Sequence, residues 1–384
     1  MSNINANRRR KEQIPVRLLA WYKNHGRSLP WRQSSDSYHV WISEVMLQQT
    51  QVDTIIPYYQ RFLEKFPDIK ALADAPLQDV LKAWENMGYY RRAHCLHEAA
   101  NIIMTKYNGR IPETWDELMD LPGIGAYTAG AILSISFGKA VTAIDGNVRR
   151  VMCRLFAIKD APDTPAARER IQAAALSLVP AGKRAGRFNQ ALMDLGALVC
   201  TSKSPHCLQC PVKRECLAYS RKLQNDLPVK IKGRPVPQKQ GVAGILFDGK
   251  GRILVVQRPA QGLLASLWKF PGGIIEPDES LQAGLERTIH EELGIHIWPE
   301  SPIRTIKHAY THFRLTLHVW SCMHKKEKVR ALKCQRWKWV APESLTQLPF
   351  SKIDGLIVSS ISSLDVKAHC SFGPKKEISS LHSI

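Results

Sequence analysis

At 384 residues, with 44% apolar side chains, the chain exceeds what one core usually serves, so two folded domains are expected and disorder over most of its length is excluded. Lysine and arginine number 54 against 34 aspartates and glutamates, a formal charge of +20, which favours a polyanionic partner, nucleic acid ahead of a membrane surface. The longest apolar run, around residues 126–137, is far short of the ~20 residues a spanning helix needs.

Residues 1–13 carry Arg8, Arg9, Arg10 and Lys11 with no hydrophobic stretch behind them. They read as a basic tail, solvated or laid along a nucleic-acid backbone, and not as a secretory signal. Nine cysteines, an odd count without an export signal, argue against a disulfide framework. A reducing, cytoplasmic location is expected, nucleoid-associated in a bacterium.

From residue 14 to 227 apolar positions recur at helical spacing, as in Leu192, Leu195 and Val199, and Pro15, Pro76, Pro112 and Pro165 are placed as first-turn prolines. This part is predicted to be all-α. Residues 228–240 hold three prolines and several lysines without either period and are predicted to be a linker. Residues 241–358 are predicted to be α+β, with a hairpin about Asp248-Gly249-Lys250-Gly251, a helix near 281–293, and strands at 315–321 and 336–340. Residues 359–384, rich in Ser and Lys, are expected to be a partly disordered tail.

Three motifs carry chemistry. In Leu121-Pro122-Gly123-Ile124-Gly125, the two glycines allow positive dihedrals and close approach of another molecule, and the following helix offers unpaired N–H groups to a phosphate. A packing helix-turn-helix would use the same residues. The turn Ile144-Asp145-Gly146-Asn147-Val148 supplies a carboxylate. Cys200, Cys207, Cys210 and Cys216, spaced C-x6-C-x2-C-x5-C, can hold zinc or an iron-sulfur cubane, and spacing alone does not choose. Cys95, Cys153, Cys322, Cys334 and Cys370 lack partners at ligand spacing.

Together these motifs resemble the helix-hairpin-helix DNA glycosylase superfamily over residues 14–219. Within it, the endonuclease III branch forms a Schiff base from a lysine in the hairpin helix, where this chain has Tyr127. The segment Trp41-Ile42-Ser43-Glu44-Val45-Met46-Leu47-Gln48-Gln49-Thr50 is similar instead to the signature of the adenine DNA glycosylase family. That resemblance implies that Glu44 protonates adenine and Asp145 stabilises the oxocarbenium-like sugar, with Tyr127 and Asn147 setting their geometry. It implies that the flipped base meets Trp31, Arg32, Leu47 and Gln190, that Gln48 or Gln49 and Tyr89 probe the stack, and that the four cysteines hold one 4Fe-4S cluster. Chemistry asks for the same pair independently. Cleaving a purine from deoxyribose needs an acid for the base and an anion for the sugar, hence two carboxyls in different protonation states. Trp41, Val45 and Leu47 offer the desolvation that would raise Glu44.

Gly273-x5-Glu279-x7-Arg287-Thr288-Ile289-His290-Glu291-Glu292-x-Gly294 resembles the Nudix box, which uses helix glutamates to hold magnesium at a pyrophosphate, with Thr288 in place of one of them. In adenine glycosylases such a domain recognises 8-oxoguanine through a Phe-Ser-His loop, to which Tyr310, Thr311 and His312, after His308, correspond. A nucleotide hydrolase and a plain scaffold are the competing readings of this domain. For the chain as a whole the expectation is a monomeric, monofunctional enzyme acting on double-stranded DNA with A:8-oxoguanine or A:G mispairs. An endonuclease III-like lyase and a catalytically silent lesion-binding protein are the rivals.

Overall fold

The computed structural model describes residues 2–229, 235–325 and 327–361, so the expected tail beyond 361 and part of the expected linker lie outside the described residues. Two compact units emerge: Met1–Ala75 with His94–Gly233, and Pro76–Ala93 with Arg234–Ile384. No helix among the described residues is long and apolar enough to cross a membrane.

The regular elements described in the first unit are helices: α1 (Ser2–His25), α2 (Ser37–Met46), α3 (Val52–Lys65), α4 (Ile69–Asp74), then, after α5 (Leu77–Ala83) of the second unit, α6 (Arg91–Lys106), whose first three residues are grouped with the second unit, α7 (Trp115–Met119), α8 (Ala126–Ile135), α9 (Gly146–Leu155), α10 (Pro165–Leu176), α11 (Arg184–Asp194) and α12 (Leu217–Ser220). Helix α2 starts where Asp36 accepts the His39 N–H at 3.0 Å, a cap worth about 1 kcal/mol. Helix α8 buries every residue from Thr128 to Ser134, so its neighbours must come close. Gly130 makes that possible, because a Cβ there would sit 1.9 Å from the Thr142 carbonyl oxygen. Ile14, Leu18, Val148, Met152, Phe188 and Leu192 from α1, α9 and α11 form one core with Leu195 and Val199, each fully buried side chain contributing about 1.5–3 kcal/mol.

Two expectations fail here. The basic stretch is not a free tail: α1 begins at Ser2, and the Arg10 guanidinium donates to the Glu215 and Leu155 carbonyls at 2.6 and 2.7 Å while lying over the Phe156 ring. Pro15 sits inside α1 rather than in its first turn; the tertiary anchoring of Ile14 and Leu18 offsets the lost backbone hydrogen bond. Pro112 lies in extended chain ahead of α7, whose cap is Thr114. Pro165 does open α10, and Pro76 caps α5.

The second unit has two sheets. The strands are β1 (Gln238–Leu246), β2 (Ile253–Gln257), β3 (Trp268–Lys269), β4 (Gly272–Ile274), β5 (Ile297–Ala309), β6 (Arg314–His324) and β7 (Arg336–Val340). One sheet runs β4-β1-β6-β5, with β1 and β6 parallel, and the other runs β3-β2-β7. Helix α13 (Leu281–Leu293) buries Leu285, Ile289 and Leu293 against Val242, Leu246, Leu254 and Val256. Helix α14 (Lys352–Ile361) buries Ile353 and Ile357 in a separate core with Ala243, Val255, Trp268 and Phe270. The predicted hairpin is only a single bridge, Phe247 to Ile253, after which β1 and β2 enter different sheets. Strand β5 escapes the sequence because two prolines and two register shifts break its alternation.

Residues 76–93, placed by sequence within the helical domain, belong by their contacts to this second unit. The Trp268 indole donates to Gln78 Oε1 at 2.9 Å, the Tyr90 hydroxyl to the Phe350 carbonyl at 3.0 Å, and the Phe350 N–H to Glu85 Oε1 at 3.2 Å.

Candidate active site

Glu44 stands on α2, which packs against α8. Trp41 and Val45 are buried beside it, and Glu44 itself is only 4% exposed. Its Oε2 accepts a hydrogen bond from the Tyr127 hydroxyl of α8. Loss of solvent pushes the Glu44 carboxyl up to about 7, against the Tyr127 hydrogen bond and the Arg32 charge, which lower it, and with Asp145, which raises it. Burial and the two nearby carboxyls hold the Tyr127 phenol well above its ordinary value, so it stays a neutral donor.

Asp145 reaches the same place as the N-cap of α9. Its Oδ1 accepts the Val148 N–H at 2.6 Å and its Oδ2 the Asn147 amide at 3.1 Å. Burial leaves Asp145 above its ordinary value as well, against the Val148 and Asn147 donors and the Arg150 charge, which lower it. The two carboxyls thus differ in kind: Glu44 is held by one phenol in an apolar wall, whereas Asp145 is surrounded by donors that favour the anion. Asn147 is fixed in turn, since Arg150 donates to its Oδ1 at 2.8 Å and to the Gly196 and Cys200 carbonyls at 2.7 Å each. A Cβ on Gly196 would lie 2.7 Å from Asn147 Cβ, so only glycine lets the chain after α11 pass this close.

Arg32 ends the short helical turn at Pro30–Arg32 and is claimed by Asp194, a residue without a sequence motif. Fully buried Asp194 accepts from Arg32 at 2.7 and 2.9 Å and from the Arg27 backbone and guanidinium at 2.9 and 2.8 Å. Gln190 accepts the Tyr22 hydroxyl at 3.0 Å. Trp31 is almost wholly buried edge-on to Tyr59 and supplies wall rather than an exposed stacking face. Leu47 caps the end of α2, and the Gln48 amide donates to Thr128 at 3.2 Å. Gln49 follows in a left-handed turn, φ 60°. Asn189 was also missed: buried, it ties the Ala143 N–H and Val141 carbonyl together ahead of Asp145.

In the hairpin only Gly123 has the expected positive φ, 77°, and a Cβ there would meet Cys95 Cβ at 2.6 Å. Gly125, at φ −106°, caps α8 with open space where its Cβ would be. One glycine therefore makes the turn and the other leaves the backbone amides uncovered.

Cys200, Cys207, Cys210 and Cys216 line one cavity. The Arg154 guanidinium donates to Cys200 Sγ at 3.3 Å and to the Thr201 carbonyl at 2.6 Å. Four thiols around a shared apolar space fit a 4Fe-4S cubane.

The remaining candidates form a separate group in the second unit. Tyr89, 44% exposed with φ 47°, shares a 2.7 Å hydrogen bond with the Thr311 hydroxyl. Thr311 and His312 are exposed at the β5–β6 turn. Tyr310 is half-buried between His308 and Phe313, at ring distances of 4.6 and 4.8 Å.

Two carboxyls, Glu44 and Asp145, in the unit that carries the glycine hairpin and the thiol-lined cavity, with a Nudix-type sheet and helix in the other unit, mark a helix-hairpin-helix base-excision DNA glycosylase joined to a Nudix domain. The comparisons agree: residues 42–175 match the HhH-GPD superfamily of base excision DNA repair proteins, and residues 242–360 match the NUDIX domain. A solved structure of a thermostable thymine-DNA glycosylase is 29% identical and covers 56% of this chain and 99% of its own, with a TM-score of 0.52. The adenine DNA glycosylase of Buchnera aphidicola subsp. Baizongia pistaciae is 34% identical across 80% of this chain and 86% of its own length. The Homo sapiens adenine DNA glycosylase is 36% identical over 79% of this chain, which spans 65% of that longer relative. The chain belongs to the adenine DNA glycosylase family.

Proposed function

We propose that the chain removes adenine mispaired with 8-oxoguanine or guanine in double-stranded DNA and leaves an abasic site. The supporting observation is Glu44, a carboxyl buried to 4% exposure, hydrogen-bonded by Tyr127 and raised to about 7, hence substantially protonated near neutrality. With adenine turned out of the stack at a cost of a few kcal/mol, Glu44 gives its proton to N7. The bond from C1′ to N9 then breaks with its electrons passing to the purine. The Asp145 carboxylate stabilises the positive sugar, water adds at C1′, and its surplus proton returns to a carboxylate. Tyr127 cannot form a Schiff base, which favours a monofunctional hydrolase over a lyase.

The 4Fe-4S cluster belongs to the same reading: Cys200, Cys207, Cys210 and Cys216 would hold it, and it would stiffen a basic loop carrying Lys203, His206, Lys213 and Arg214. Tyr89, His308, Tyr310, Thr311 and His312 would read the base opposite adenine, where 8-oxoguanine differs by an oxygen at C8 and a proton on N7. The enzyme would act as a monomer in a reducing compartment. Base release from duplexes with adenine opposite 8-oxoguanine, guanine or thymine tests the proposal. Release is expected from the first two only, and its loss in Glu44→Gln with DNA binding retained; unchanged turnover in that variant overturns the assignment.

A further inference from the structure

A Nudix box implies a divalent cation held by its carboxylates, and the box residues here, Glu279 ahead of α13 and Thr288, Glu291 and Glu292 within it, do not fit one. Glu279 is clasped by Arg287 at 2.7 and 2.8 Å. Glu291 is shared between Arg287 at 3.3 Å and Lys333 at 2.9 Å. Thr288 stands where the box has a glutamate, and its buried hydroxyl is spent on the Gly284 carbonyl at 2.7 Å. That leaves Glu292. It is 7% exposed, and its Oε2 meets the ammonium of Lys269, itself 9% exposed, at 2.8 Å. The same ammonium donates to the Gly272 carbonyl oxygen at 2.5 Å, while the Gly272 N–H donates to Glu292 at 3.2 Å.

A hard cation needs several anionic or carbonyl oxygens, and magnesium in particular sheds water reluctantly. Here the deepest carboxylate and its neighbouring carbonyl already surround a positive charge. We propose that the Lys269 ammonium is a built-in cation occupying the metal seat of this Nudix domain, so that the domain takes its ligand without a divalent ion and has no metal-dependent hydrolase activity. The arrangement follows from chemistry: an ammonium neutralises one buried carboxylate and satisfies a carbonyl, but it cannot bridge a pyrophosphate to several protein oxygens as a divalent ion does. Burial lowers the Lys269 pKa, Glu292 beside it and Asp354 of α14 favour the ammonium, and Arg258 after β2 opposes it.

The probe is Mn2+ titrated into the full-length protein, with the free ion read by electron paramagnetic resonance. The parent chain is expected to leave Mn2+ free, whereas Lys269→Ala combined with Thr288→Glu should take up one ion per chain at least about tenfold more tightly, since ligand charge sets affinity at such sites. A melting curve and a protease-resistance pattern matching the parent's certify that the variant's second unit is folded. If the double variant does not fold, Lys269→Met alone decides: millimolar Mn2+ should raise its melting temperature and leave the parent's unchanged. The proposal is overturned if the parent binds one Mn2+ and loses it in Glu292→Gln, if the folded double variant binds no better than the parent, or if Mn2+ fails to raise the melting temperature of Lys269→Met.

Discussion

Glu44 pays for its reactivity in stability. An ordinary glutamate ionises near 4.5 and Glu44 near 7 in the fold, so between those values the folded chain binds more protons than the unfolded chain. Stability contributed at low pH is therefore lost as pH rises through this window, by up to about 3 kcal/mol. Glu44→Gln, which cannot ionise, should remove that slope: urea denaturation at pH 5 and pH 8 is expected to show the variant gaining on the parent at the higher pH. An unchanged difference would mean that Glu44 is ionised throughout. Glu44 and Asp145 were legible in sequence because each sits in a local motif. Asp194, which holds Arg27 and Arg32, was not, because it lies more than 160 residues along the chain from its partners and no spacing announces it.

Among the elements, the hairpin separates two uses of glycine that the sequence could not. Gly123 makes the turn and touches Cys95, whereas Gly125 touches nothing. Gly123→Ala is expected to cost about 1–3 kcal/mol of stability through strain and the clash. Gly125→Ala should fold normally and weaken binding to any duplex, matched or mismatched, because its methyl group would fill open space at the start of α8 where a phosphate could approach. Thermal melts and duplex titrations of both variants check this; a stable Gly123→Ala, or a Gly125→Ala that binds as the parent does, would reverse the roles. Helix α13 appears at the residues its period predicted, and β5 does not, since burial on a bulged strand leaves no regular alternation to read. The metal seat was legible as a box of glutamates, but the Lys269 that fills it stands outside that box.

For the whole molecule, the division into two units changes what truncation means. Removing the chain after Leu227 takes away Trp268 and Phe350, the partners of Gln78, Glu85 and Tyr90, along with Thr311, the partner of Tyr89. Such a truncation is expected to lower the preference for 8-oxoguanine over guanine about tenfold, the worth of one lost hydrogen-bonded contact, and to lower cleavage opposite guanine less. The ratio of single-turnover rates on the two duplexes measures it, and an unaltered ratio would place lesion recognition elsewhere. Composition foretold two domains and an anionic partner. It could not foretell that residues 76–93 fold with the second unit, because that membership is written in tertiary hydrogen bonds rather than in helical period.

Glu44 as the protonated acid is read out by the pH dependence of single-turnover adenine release from an A:8-oxoguanine duplex. The rate is expected to fall about tenfold per pH unit above about 7, as the Glu44 carboxyl ionises. A rate that stays level from pH 6 to about pH 9, across the range where such a general acid loses its proton, would contradict it.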